Sequence, residues 1–198
     1  MLPIFSVGHS NHSWEDFLHL LQQHQITAVV DVRSSPVSKY PHFTQKNIKW
    51  ELHTSGIAYV FLGKELGGRP NELKYFSGTK ADYEKMARSA EYSTGIDRLT
   101  TGARKYSIAM MCSEHNPFDC HRCLLVGRTL LEIGIDTQHI LSTGELLSQR
   151  QAERDLMKMA NAETLDMFAS ADQKKADAYR ARALKIAYDS SSDSGSEQ

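Results

Sequence analysis

The chain has 198 residues, of which 40% are hydrophobic and 24% charged, and a formal net charge of −1. That is the profile of a globular protein with enough length for a real core, and it gives no global pull toward nucleic acid or an anionic membrane. No apolar run approaches the roughly 18 residues of a membrane span, and the N-terminus shows no basic flank and apolar signal core, so secretion is not expected.

Strand and helix signals alternate. Ile4-Phe5-Ser6-Val7 predicts a first strand, and Ser13 with Asp16 marks a helix start, followed by Trp14, Phe17, Leu18 and Leu21 on one face. Residues 28–32 predict a second buried strand, Thr44 is placed to cap a helix carrying Ile48 and Leu52, and 58–62 predict a third strand. A helix over about 81–100 is expected to carry Tyr83, Met86, Ala87 and Ala90 on one face. Residues 106–111 then predict a fourth strand. Leu124, Leu125, Val126, Leu130, Leu131 and Ile133 recur at helical spacing before Gly134, and 138–141 predict a short fifth strand.

Strands separated by helices imply right-handed βαβ crossovers. The expected fold is α/β, a Rossmann-like three-layer sandwich with a mostly parallel five-stranded sheet over residues 1–142, plus C-terminal helices. The composition of 143–189 changes to Ala, Leu, Met, Glu, Lys and Arg, which predicts helices over 145–162 and 172–188 and no strand. Leu146, Leu147, Leu156, Met157, Met159 and Met167 are expected to pack on the core or a partner. The Ser-rich tail, 190–198, is expected to be disordered.

In a parallel sheet the loops that leave the strands meet along one edge, and four such loops carry polar chemistry. Gly8-His9-Ser10-Asn11 offers a tight turn and backbone N–H groups for an anion, although helix capping explains it as well. Asp31 and Arg33 alternate along an extended chain, suiting either a buried ion pair or a substrate clamp, and Lys39, Tyr40, His42 and Phe43 follow as a basic, aromatic strip. Gly67-Gly68-Arg69 permits a close backbone approach to phosphate, or is an ordinary turn; no P-loop pattern is present.

The fourth loop holds all three cysteines, Cys112, Cys120 and Cys123, with Glu114, His115, His121 and Arg122. Clustering argues against a secreted disulfide scaffold and for free thiols, redox chemistry or a metal in a reducing cytoplasm. Asp119 is expected to cap the following helix, whose first turn would favour thiolate at Cys120 and Cys123. The C-x₇-C-x₂-C spacing lacks a second zinc knuckle, so no metal site is assigned.

Together, Ser6-Val7-Gly8-His9-Ser10-Asn11, Asp31-Val32-Arg33-Ser34-Ser35-Pro36, Leu66-Gly67-Gly68-Arg69, Met111-Cys112-Ser113-Glu114 and Cys120-His121-Arg122 resemble the DUF488 family of uncharacterised proteins. The resemblance implies that Gly8, His9, Ser10, Asn11, Asp31, Arg33, Cys112, Glu114, Cys120, His121 and Arg122 are the positions to test. Cys123 lies outside the family pattern, which weakens a Cys120–Cys123 dithiol.

The leading expectation is an enzyme, of hydrolase or transferase type, on a phosphorylated substrate such as a nucleotide or nucleic acid. Asp31, Cys112, Glu114, Cys120 and His121 would be catalytic. Gly8, His9, Ser10, Asn11, Arg33, Gly67, Gly68, Arg69 and Arg122 would hold substrate. Two alternatives stay open: thiol-based redox or sulfur transfer through Cys120, and a non-catalytic nucleic-acid or protein-binding module. No cofactor is assigned, no membrane partner is expected, and the C-terminal helices leave room for a homodimer.

Overall fold

The structure, a computed structural model, describes residues 2–161 and 170–195. A six-stranded sheet forms its middle layer, in the order β3-β2-β6-β1-β7-β8. The strands are β1 (Ile4–Gly8), β2 (Ala28–Asp31), β3 (Ala58–Phe61), β6 (Ile108–Cys112), β7 (Gln138–Ile140) and β8 (Leu146–Ser148), while β4 (Phe76–Ser77) and β5 (Lys80–Ala81) make a separate small hairpin. All the central pairings are parallel except β7 with β8. Among the described residues no helix is long and apolar enough to cross a membrane.

Side-chain alternation sorts the core into two layers. Ala109 and Met111 of β6 face α1 (Trp14–Gln23) and α2 (Gln45–Thr54), packing with Phe17, Leu21, Ile48 and Leu52. Ile108, Met110 and Cys112 face the other side. There α3 (Gly63–Leu66), α4 (Tyr83–Ala87), α5 (Ala90–Gly102), α6 (Arg128–Glu132), α7 (Gln149–Asn161) and α8 (Ala171–Ile186) contribute Leu66, Met86, Leu99, Leu130, Leu156 and Tyr179. The expected three-layer architecture is therefore present.

Four local expectations differ. The helix expected over 81–100 is two helices, because Ser89 turns extended and caps the Tyr92 N–H to start α5 anew. Residues 146–148, expected helical, form β8 on the sheet edge beside β7. Asp119 does not cap a helix at Cys120; its carboxylate pairs with Arg182 of α8, and the chain from Arg122 to Gly127 winds as a buried π-helical turn before α6. In the polar tail, Ser190–Gly195 forms 3₁₀ turns, with the Ser190 N–H on the Thr79 carbonyl. The expected packing of Met167, the end of the first C-terminal helix at 162 and the last tail residues fall outside the described residues.

Candidate active site

Strand register brings the polar loops to one sheet edge. Gly8 at the end of β1 is level with Cys112 at the end of β6, and Asp31 of β2 is level with Met111. The loops then continue the pairing: the His9 N–H reaches the Cys112 carbonyl at 2.8 Å and the Ser10 N–H the Ser113 carbonyl at 2.9 Å. Gly8 is needed here by close approach, since a Cβ would stand 1.9 Å from the Glu114 carbonyl oxygen.

Two polar clusters result, one on each side of the strand ends. Asp31 and Arg33 form a bidentate pair toward the α1–α2 layer. Asp31 also accepts from the Arg33 N–H and the Tyr59 hydroxyl, while Arg33 Nη1 donates to the Phe43 carbonyl and to His9 Nε2. His9 stacks on Phe43, and burial together with the Arg33 charge lowers its pKa to about 4, so it is the neutral acceptor this contact requires. Tyr59 is pushed up by burial and by the Asp31 charge.

The second cluster faces α4 and α8. Cys112 Sγ lies 2.9 Å from Glu114 Oε2, and Cys120 Sγ lies 3.1 Å from the same oxygen. His121 Nδ1 is 3.8 Å from each sulfur, and its Nε2–H donates to the Val32 carbonyl at 2.9 Å. Val32 is the residue between Asp31 and Arg33, so one backbone carbonyl links the two clusters. Arg122 is fully buried and donates to the Glu114 and His115 carbonyls, shaping the loop that carries Glu114.

The electrostatics single out Cys120. Burial opposes charge on it, but the hydrogen bond from Cys112, the Arg122 guanidinium and the His121 ring outweigh burial and hold its pKa well below the usual thiol range. Cys112 moves well above that range, through its hydrogen bond to Cys120 and through burial. Glu114 is raised by burial and by the Cys120 charge; His121 is raised because the Cys120 charge overrides its burial. Cys120 thus sits among three groups able to exchange a proton with it. Cys123 differs: burial pushes it up to about 12, and its carbonyl accepts from Gln149 in the interior.

A cavity of about 330 Å³ opens onto this second cluster, inside the size range of small-molecule sites. Cys112, Glu114, Cys120 and His121 line its floor, with Arg33, Gly68 and Arg69 at its sides. Gly8, His9, Ser10, Asn11, Asp31, Gly67 and Arg122 do not line it. They support its walls or point elsewhere: Asn11 is exposed, and Ser10 takes a left-handed φ of 45°. Arg69 is exposed at the mouth, over the Tyr188 ring, with no ion pair among the described residues.

Val37, Tyr83, Asp119, Ile186 and Tyr188 also line the cavity, though none was expected as a site residue. Tyr83 reads as an ordinary core position on a helix face and Asp119 as a helix cap, while Ile186 and Tyr188 reach the cavity because α8 folds back over it. The Arg182–Asp119 pair and the Ala81 N–H on the Tyr188 carbonyl hold it there.

A family model described as "Domain of unknown function DUF488" matches residues 13–129, more than half of the chain. No curated protein and no solved structure matches it.

Proposed function

The chain belongs to the DUF488 family, and from that premise we propose that it is a thiol-dependent enzyme, with Cys120 as nucleophile and Cys112 as its resolving partner. The observation that carries this is the shared carboxylate: both sulfurs reach Glu114 Oε2, at 2.9 and 3.1 Å, on the floor of one cavity. An inert buried cysteine has apolar neighbours, whereas these two have a carboxylate and an imidazole as theirs.

The chemistry that fits is thiol–disulfide exchange or sulfur transfer. The Cys120 thiolate attacks a sulfur of the substrate, forming a Cys120–substrate disulfide and expelling the first product as a thiolate, which takes a proton from Glu114 or His121. Cys112 gives its proton to that pair and attacks Cys120 Sγ, forming the Cys112–Cys120 disulfide and releasing the second product. An external thiol then reduces the enzyme. Arg69 and the Ser34 and Ser35 positions line the same cavity and suit an anionic substrate group, phosphate included. Arg33 supports that role less, since its donors already serve Asp31, His9 and the Phe43 carbonyl, and Arg122 does not line the cavity.

The test treats chelator-washed, fully reduced protein with limiting iodoacetamide, and separately with a mild oxidant, and maps the products by peptide mass. Cys120 is expected to alkylate first and Cys123 last, and oxidation is expected to give a Cys112–Cys120 disulfide. Alkylation of Cys120 no faster than that of Cys123, or no such disulfide, would overturn the proposal.

A further inference from the structure

We propose that Cys112, Cys120 and His121 form a binding site for one divalent cation of the zinc class, with a fourth coordination position facing the cavity. The two thiol sulfurs and the His121 ring nitrogen all lie within 4.8 Å of one another. Zinc–sulfur bonds of about 2.3 Å and a zinc–nitrogen bond of about 2.0–2.1 Å, at tetrahedral angles, put a sulfur about 3.6 Å from the nitrogen. Both sulfurs stand 3.8 Å from His121 Nδ1, within a few tenths of an ångström of that span.

The imidazole is held as a ligand ring is held elsewhere. Its Nε2–H is committed to the Val32 carbonyl at 2.9 Å, which leaves Nδ1 to point its lone pair between the sulfurs once that atom is deprotonated. Gly68 packs closely against the same ring: a Cβ there would be 2.8 Å from Cγ and 2.9 Å from Nδ1. Three separate segments, the end of β2, the glycine loop and the end of β6, therefore fix the donor set before any ion arrives.

Donor chemistry sets the class of cation. Two thiolates with one imidazole exclude magnesium and calcium, which need oxygen, and favour zinc or a similar soft-to-borderline ion. Binding forms two metal–sulfur bonds and one metal–nitrogen bond and releases the Cys112 thiol proton, together with any proton held at Cys120 or on Nδ1, without a change of oxidation state. Glu114, whose Oε2 is within hydrogen-bonding distance of both sulfurs, stands beside the open position. Three protein ligands with one open place is the pattern of catalytic rather than structural zinc.

This site rests on the thiol proposal in one respect, that Cys112 and Cys120 are reduced and reachable from the cavity. Its test is separate. Reduced, chelator-washed full-length protein is titrated with Co²⁺ and read for the sulfur-to-cobalt charge-transfer band in the near ultraviolet, then with Zn²⁺ as competitor. One equivalent is expected to saturate the band in the wild type and in Cys123→Ser. Cys112→Ser, Cys120→Ser and His121→Ala, each checked for native circular dichroism, are expected to bind more weakly by over 100-fold, beyond the roughly 10–100-fold of a second-shell change. No band in the folded wild type, or an unchanged band in Cys120→Ser, would overturn the metal site. Slow alkylation of metal-free Cys120 with a normal cobalt band would sink the thiol enzyme alone; fast alkylation without the band would sink only the metal.

Discussion

Arg33 closes on Asp31 through two parallel hydrogen bonds, Nε to Oδ1 at 2.9 Å and Nη2 to Oδ2 at 2.7 Å. Both side chains are almost wholly buried, and the remaining partners are internal: the Tyr59 hydroxyl, the Phe43 carbonyl and His9. A buried pair contributes little over an apolar replacement, but breaking one strands a charge. We expect Asp31→Asn and Arg33→Met each to destabilise the protein by about 3–5 kcal/mol, measured as a shift in the urea midpoint. If Asp31→Asn unfolds like the wild type yet abolishes Cys120 alkylation, the pair belongs to the chemistry and not to the frame.

Gly68 is the contact through which the glycine loop reaches the thiol cluster. Gly68→Ala would place a methyl 2.8 Å from His121 Cγ, and the overpacking should cost about 1–3 kcal/mol. The ring would also tilt away from the sulfurs, so cobalt binding should weaken along with stability. Gly102→Ala is the control. It meets only the Ile108 Cδ1 at 3.1 Å, at the last residue of α5, and should change stability by no more than about 1 kcal/mol.

His139 links the sheet to α7. It is fully buried, with Nδ1 accepting from Ser6 at 2.6 Å and Nε2 donating to Gln149 at 2.7 Å. Burial and the Arg122 charge lower its pKa to about 4, against the opposing effects of Gln149 and Cys120. A histidine lowered in this way takes up its proton more readily when unfolded. Its stabilising effect is therefore complete above about pH 6.5, falls as the pH drops toward 4, and levels off below. The loss at this residue is about 3 kcal/mol at most, and His9 adds to the same trend. Urea midpoints between pH 7.5 and 4.5 should show the slope, and the His139 ring should stay neutral by NMR above pH 5. A folded-state titration near 6.5 would refute it.

Arg182 ties α8 over the cavity by donating Nε to the Phe118 carbonyl at 3.1 Å and by pairing with Asp119. That pair is half-exposed, so Arg182→Ala should cost only about 1 kcal/mol or less. Its larger effect should be on access. Iodoacetamide should label Cys120 several-fold faster in the variant, with Cys123 unchanged as an internal reference. An unchanged rate would mean that α8 does not limit entry.

The layer plan was legible because β1, β2, β3 and β6 are short, mostly apolar runs and α1 carries a capping pair. The meeting of the four loops followed from parallel topology alone. What escaped was tertiary. Nothing in the sequence around Arg122 says that its guanidinium turns inward onto the Glu114 and His115 carbonyls, so a basic residue beside cysteines reads as an anion site. Asp119 has the spacing of a helix cap, but a partner far along the chain, Arg182, claims it. β8 went unseen because three residues in a charged helical stretch carry no alternation; only the waiting edge of β7 makes them a strand. Whether Cys112, Cys120 and His121 converge could not be read for a related reason: Cys112 and Cys120 are joined by a turn whose path decides whether their sulfurs meet, and the sequence spacing matched no zinc motif.

The rim built from Ile186 and Tyr188 has a consequence in time. A ribosome adds residues from the N-terminus at about 5–20 per second, so β6 and its thiols emerge several seconds before α8 does. During that interval the wall that Ile186 and Tyr188 give the cavity has not yet been made. Oxidants, alkylating agents or free metal ions would meet the sulfur cluster then with less to keep them out, and the newborn chain is in this sense more vulnerable than the finished one.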